Sequence, residues 1–168
     1  MEFETGGLAF YIRYLHVLSG VMWIGLLWYF NFVQIPTMPK IPAEQKPAIG
    51  KHIAPAALFW FRWGAAFTIL FGLILAHLNG YLVEALSLGW GGGSVPLTLL
   101  GFGMWFGIIM AFNVWFIIWP NQKIALGLVE APEEAKPGAA RKAMLFSRTN
   151  TLLSIPMFLG MLAFQNFH

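Results

Sequence analysis

The sequence contains no cysteine. Disulfides, thiolate metal sites and the covalent attachment of a c-type haem, which needs C-x-x-C-H, are thereby excluded. Any cofactor must be held non-covalently, with histidine as the expected ligand. Charge is scarce as well: 10% of the 168 residues are charged, against 58% hydrophobic. A water-soluble domain could not present that balance without large exposed apolar patches, so a membrane protein is expected. The opening MEFETGGLAF lacks the basic n-region and small-residue cleavage site of a secretory signal, and Glu2 and Glu4 carry the wrong sign for one. The first apolar segment is therefore expected to stay. The formal net charge of +3 matters less than where the basic residues lie. The bilayer is the expected partner, and nucleic acid is not.

Crossing the hydrocarbon takes ~20 mostly apolar residues. Four stretches qualify, 8–33, 56–78, 95–119 and 144–167, within one transmembrane domain spanning 1–168. The expectation is an all-α membrane protein, an antiparallel bundle of four transmembrane helices. The first connection, QIPTMPKIPAEQKPAIGKH, is rich in proline, which points to an extended connector. The second, NGYLVEALSLGWGGGSVP, combines a short amphipathic stretch with a glycine run; the third, PNQKIALGLVEAPEEAKPGAARK, mixes charges and suggests an interfacial helix. Lys40, Lys46 and Lys51 lie in the first connection, and Lys123, Lys136, Arg141 and Lys142 in the third, while the second offers only Glu84. Because cytoplasmic loops hold the Lys/Arg excess, segments 34–55 and 120–143 are assigned to the cytoplasm of a bacterial inner membrane. Both termini then face the periplasm. Gly103, Gly107 and Ala111, four residues apart, mark a close helix seam. Pro156 frees the carbonyl of Leu152 and is expected to kink the last helix.

An ionisable side chain at membrane depth costs ~2.5 kcal/mol or more, so the few present are functional candidates. On the first helix His16, Gly20, Trp23, Leu27 and Asn31 recur at three- and four-residue steps and form one inward stripe. His77 falls near the outer end of the antiparallel second helix. Two such imidazoles could ligate the iron of one haem b from opposite faces, with Gly20 giving room for the ring edge. The alternative is that each histidine is a hydrogen-bond link or an interfacial residue at a helix end. His52 and His168 are read as solvated. A second constellation, Arg62 and Arg148 with Asn31, Asn113 and Asn150, lies towards the basic side. Guanidinium forks and amides suit an oxygen-rich anion or a quinone head, and snorkelling to headgroups is the competing account.

The blocks RYLHVLSGVMWIGLLWYFNFVQIP, FWFRWGAAFTILFGL, FNVWFIIWPNQKIALG and SRTNTLLSIPMFLGM, in this order, resemble the membrane domain of the PuuD-type urate hydroxylase family. The opening H-V-L-x-G-x-x-W-I-G is also similar to the first helix of CopD-type proteins and membrane protoporphyrinogen oxidases. The family blocks include His16, Trp23, Arg62, Asn113, Trp115, Arg148, Asn150 and Pro156. The resemblance implies a helical membrane domain that full-length members follow with a C-terminal cytochrome c, and urate oxidation that sends electrons to the respiratory chain. This chain reaches His168 without a C-x-x-C-H, as a stand-alone form would. Three functions follow as expectations: a haem b electron carrier exchanging electrons with a periplasmic cytochrome c, a urate-oxidising enzyme, and an accessory subunit of a respiratory or oxidase complex. Homo-oligomers or hetero-complexes with respiratory subunits are compatible with each.

Overall fold

The computed structural model describes residues 2–90 and 93–166, and among these there is no strand. Four long helices dominate: α1 (Glu2–Trp28), α2 (Ala54–Leu78), α3 (Val95–Phe112) and α4 (Ala135–Asn166). With their flanking turns, the runs Gly6–Lys40, Lys46–Leu78 and Val95–Ala125 are long and apolar enough to cross a membrane. They contain the expected spans 8–33, 56–78 and 95–119. The helix α4 covers the fourth expected span except residue 167, which lies outside the described residues. It is more polar because Ser147, Arg148, Asn150 and Ser154 interrupt its apolar run; the serines and the asparagine are buried against the other helices, and Arg148 is exposed.

Prolines organise the ends of these helices in a way the sequence reading had wrong. The first connection is mostly helical rather than extended: α1 runs through a π-helical turn, Tyr29–Gln34, into Ile35–Thr37 and a 3₁₀ turn Met38–Lys40, and helix resumes at Lys46–Ala48. Pro36, Pro39 and Pro47 each sit in the first two positions of a helical segment, where a missing N–H need not interrupt the chain. A second π turn, Ile49–Ile53, leads into α2, and a third, Asn113–Ile118, joins α3 to the helix Trp119–Ala125. Each π turn ends two residues before a proline, namely Pro36, Pro55 and Pro120. A proline ring clashes with the carbonyl four residues back, and widening the preceding turn moves that carbonyl aside. Pro156 lacks such a turn; both it and Leu152, whose carbonyl it frees, are exposed on the outer face of α4.

Within lipid the hydrophobic effect does not draw helices together, so close van der Waals packing must do so. The chain assembles as two tight pairs, α1 with α2 and α3 with α4. In the first pair, a Cβ on Gly64 would lie 3.1 Å from the backbone nitrogen of Trp23; in the second, a Cβ on Gly103 would lie 3.0 Å from the carbonyl oxygen of Met157. Gly160 meets Leu99 and Gly103 from the other side. The expected seam thus runs through Gly103, with Gly107 facing Ile69 and Met157. Trp23, Leu27, Phe61, Met110 and Val114 fill the centre between the pairs with at most 1% exposure. Outward positions such as Val21, Phe32, Phe116 and Leu159 remain apolar and exposed, as a lipid-facing surface requires.

Candidate functional site

Between the two pairs, towards the end of the molecule where α2 stops, lies a cavity of ≈ 440 Å³. His16 of α1 faces it, and the ring is fixed from behind: Nδ1 lies 2.8 Å from the carbonyl oxygen of Thr68 on α2. A carbonyl can only accept, so Nδ1 carries the proton and donates, and Nε2 is left as the basic nitrogen. Thr68 is itself oriented by donating its hydroxyl to the Gly64 carbonyl at 2.7 Å. Gly72 makes room for the imidazole, since a Cβ there would lie 2.8 Å from His16 Cε1. This is how proteins orient a histidine that ligates a metal: one nitrogen tied to an acceptor, the other presented.

The remaining walls are mostly apolar. Gly20, Gly72 and Gly107 line the cavity, together with the thioethers of Met104, Met157 and Met161. Trp23 is fully buried beside it, and its indole Nε1 has no hydrogen-bond partner in the protein. Arg13, Tyr81 and Gln165 supply polarity. Tyr81 is brought there by the end of α2, where Gly80 adopts a positive φ of 78° and Tyr81 N–H returns to the Ala76 carbonyl. Its ring packs on Phe164, with centroids 4.9 Å apart. Burial pushes the Tyr81 phenol above its ordinary range, while the positive charge of Arg13 and a hydrogen bond with Asn79 oppose the rise.

His77 does not join this group. It is exposed and is not part of the cavity wall, although its neighbour Ala76 is buried in it. One residue further along a helix is about 100° further round, enough to turn His77 away. His16, Gly20 and Trp23 share one cavity, and His77 lies outside it. His52 is exposed on the π turn before α2, and His168 lies outside the described residues.

The arginines and amides expected to form an anion pocket are dispersed. Arg148 is exposed on the outer face of α4. Asn113 donates through Nδ2 to Asn150 Oδ1 at 2.8 Å, and Asn150 Nδ2 donates to the Met110 carbonyl at 2.9 Å, so these amides clamp α3 to α4. Asn31 Nδ2 donates to Ser147 Oγ at 2.7 Å and ties the end of α1 to α4. Trp28 Nε1 adds a bond to Ser154 Oγ at 3.1 Å. Arg62 stands apart from all of them, stacked on Trp119. The residues missed in the sequence were Thr68, Gly72 and the three methionines. A signal existed only for Gly72, which sits four residues after Thr68 and eight after Gly64 on one helix face.

Residues 96–166 match the family model described as urate oxidase N-terminal. The match is consistent with a PuuD-type urate hydroxylase membrane domain and suggests a urate-related function. It covers nearly all of α3, the third connection and α4, and so includes Asn113, Trp115, Arg148, Asn150 and Pro156 but neither His16 nor Arg62. No curated protein and no solved structure matches the chain.

Proposed function

We propose that this chain is an integral membrane redox protein whose cavity between the helix pairs would hold haem b, with His16 Nε2 as the nitrogen that would bind its iron. The observation that carries this reading is the 2.8 Å bond from His16 Nδ1 to the Thr68 carbonyl, which leaves a neutral, oriented imidazole facing a glycine-walled space of ≈ 440 Å³. Among the described residues no three His, Cys, Asp or Glu side chains are grouped to hold a bare metal ion, whereas a tetrapyrrole brings most of its own ligands. Met104, Met157 and Met161 line the same cavity, and a thioether from one of them would complete the coordination that His77 is turned away from. Arg13 and the Trp23 indole N–H suit the ring's carboxylates. A haem with two protein ligands supplies one-electron transfer without an open site for dioxygen. In this reading α4 is a fourth span, the segments 34–55 and 120–143 are cytoplasmic, and His16 lies on the periplasmic half of a bacterial inner membrane. A periplasmic cytochrome c is then the natural partner.

The test is visible spectroscopy of the purified chain. A Soret band that disappears in His16→Ala, persists in His77→Ala and weakens or shifts in one of the methionine variants is the expected outcome. A band indifferent to His16, or no band in membranes supplied with haem, would remove the reading.

A second reading, oxidation of urate by this chain or by an assembly containing it, is favoured by the match over residues 96–166. Anaerobic addition of urate is expected to reduce the preparation if this holds. Failure of urate to bind or to reduce it, with the haem intact, leaves electron carriage alone.

A further inference from the structure

At the other end of the bundle, near the lysine-bearing connections, positive charge stands unmatched. Among the described residues the one ion pair joins Lys136 to Glu133, and no carboxylate meets Arg62 or Lys123. Arg62 is nonetheless held on two sides. Its guanidinium carbon lies 3.3 Å from the centroid of the Trp119 ring, and its backbone carbonyl accepts a bond from Trp115 Nε1 at 3.2 Å. Trp115 is in turn braced edge-on by Trp63, with centroids 5.6 Å apart. Lys123, one turn beyond Trp119, brings its ammonium to 5.7 Å from the same indole.

A snorkelling arginine sweeps many rotamers with its head in water. This one is stacked on the Trp119 ring. Its Nε and Nη1 are enclosed and have no acceptor among the described residues. A guanidinium withdrawn from water without a counter-charge is strongly disfavoured. Among the described residues no carboxylate offsets this charge, which leaves it open to an anion from outside the chain.

We propose that Arg62, Trp119 and Lys123 form a seat for the phosphate of an anionic phospholipid, whose oxyanion meets the guanidinium and ammonium charges stacked about the Trp119 indole. The shared chemistry is a phosphate oxyanion, and the surroundings choose the lipid source. Arg62 does not line the internal cavity. Phe59, Trp60, Trp63 and Phe116 lie exposed on the same helical stretches, and exposed aromatic side chains of this kind mark headgroup depth. Basic pockets between helices on the cytoplasmic side commonly take anionic headgroups. Trp119 owes its position to the π turn Asn113–Ile118, which inserts an extra residue before it.

Native mass spectrometry of the full chain in mild detergent tests the seat. One retained phosphatidylglycerol or cardiolipin per chain is expected, reduced about tenfold in R62Q, reduced less in K123Q, and unchanged in R148Q. Equal retention by the wild type and R62Q overturns the proposal. A comparison that needs no variant uses the wild-type chain in nanodiscs, where Tm is expected to be higher in phosphatidylglycerol than in phosphatidylcholine. Equal Tm in the two lipids overturns it. Inorganic phosphate at millimolar concentration is expected to leave Tm in phosphatidylcholine unchanged. A rise matching that given by phosphatidylglycerol would make this a free-anion site and sink the lipid assignment.

Discussion

The chemistry of the cavity depends on single atoms. Gly72 is the position where a methyl group would do most harm to His16, because the added carbon would press on the imidazole at 2.8 Å. Gly72→Ala is expected to rotate the ring off the Thr68 carbonyl, lowering haem retention while destabilising the fold by ~1–3 kcal/mol. Pigment content measured against thermal stability separates the two effects. Gly25→Ala, with nothing within 4 Å, is the matched control and should change neither. Tyr81 gives a pH signature. Its phenol is raised by burial, so its contribution to stability is whole below the ordinary tyrosine range and is lost as pH rises through the folded-state value. Tyr81→Phe should therefore flatten the alkaline arm of a stability profile and leave the neutral region unchanged, and an unaltered alkaline arm would show the phenol to be irrelevant. At this scale the inward stripe was legible, since His16, Gly20 and Trp23 recur at helical spacing and line one cavity. At His77 one residue of helical register decides between cavity wall and exposed helix end, and the structure has the helix end that the alternative reading described. At Arg148, which shares the outer face of α4 with Leu152, Ile155 and Leu159, the exposed position agrees with the snorkelling account and not with the pocket.

At the level of the helix, lengths were legible because about 20 apolar residues in a row admit little else. Where each helix changes pitch was not. The prolines of the first connection pointed to extended chain, yet Pro36 and Pro55, like Pro120 in the third, each follow a π turn that lets the helix continue. Pro120→Ala removes the ring that forces that carbonyl aside, so Asn113–Ile118 is expected to tighten towards α geometry and swing Trp119 off Arg62. A change in tryptophan fluorescence with helix content preserved would report it, and an unchanged spectrum would mean the turn has another cause. The seam between α3 and α4 is less forgiving. A Cβ on Gly160 would collide with the Leu99 carbonyl, so Gly160→Ala should destabilise by ~1–3 kcal/mol in detergent unfolding. Full stability would argue that the pair can part at little cost. The amides beside this seam were read as ligand-binding because two polar groups in an apolar run invite it; the structure pairs Asn113 with Asn150 instead.

For the whole molecule, topology can be mapped directly because the chain has no cysteine of its own. Single replacements Glu44→Cys and Glu134→Cys should react with an impermeant maleimide only from the cytoplasmic side, and Glu84→Cys only from the opposite side. Labelling of Glu44 and Glu134 from opposite sides would refute the four-span arrangement. The two helix pairs are latched together at the basic end by Asn31 to Ser147 and Trp28 to Ser154, and diverge around the cavity at the other. Val17 and Val21 of α1 and Leu162 of α4 line that cavity while remaining more than half exposed, so with the bundle in a bilayer its opening between α1 and α4 would face acyl chains. A flat ring bound for His16 would then arrive by lateral diffusion within the leaflet. Cofactor loading would be a membrane event, dependent on insertion having already happened and blind to haem dissolved in the aqueous phase.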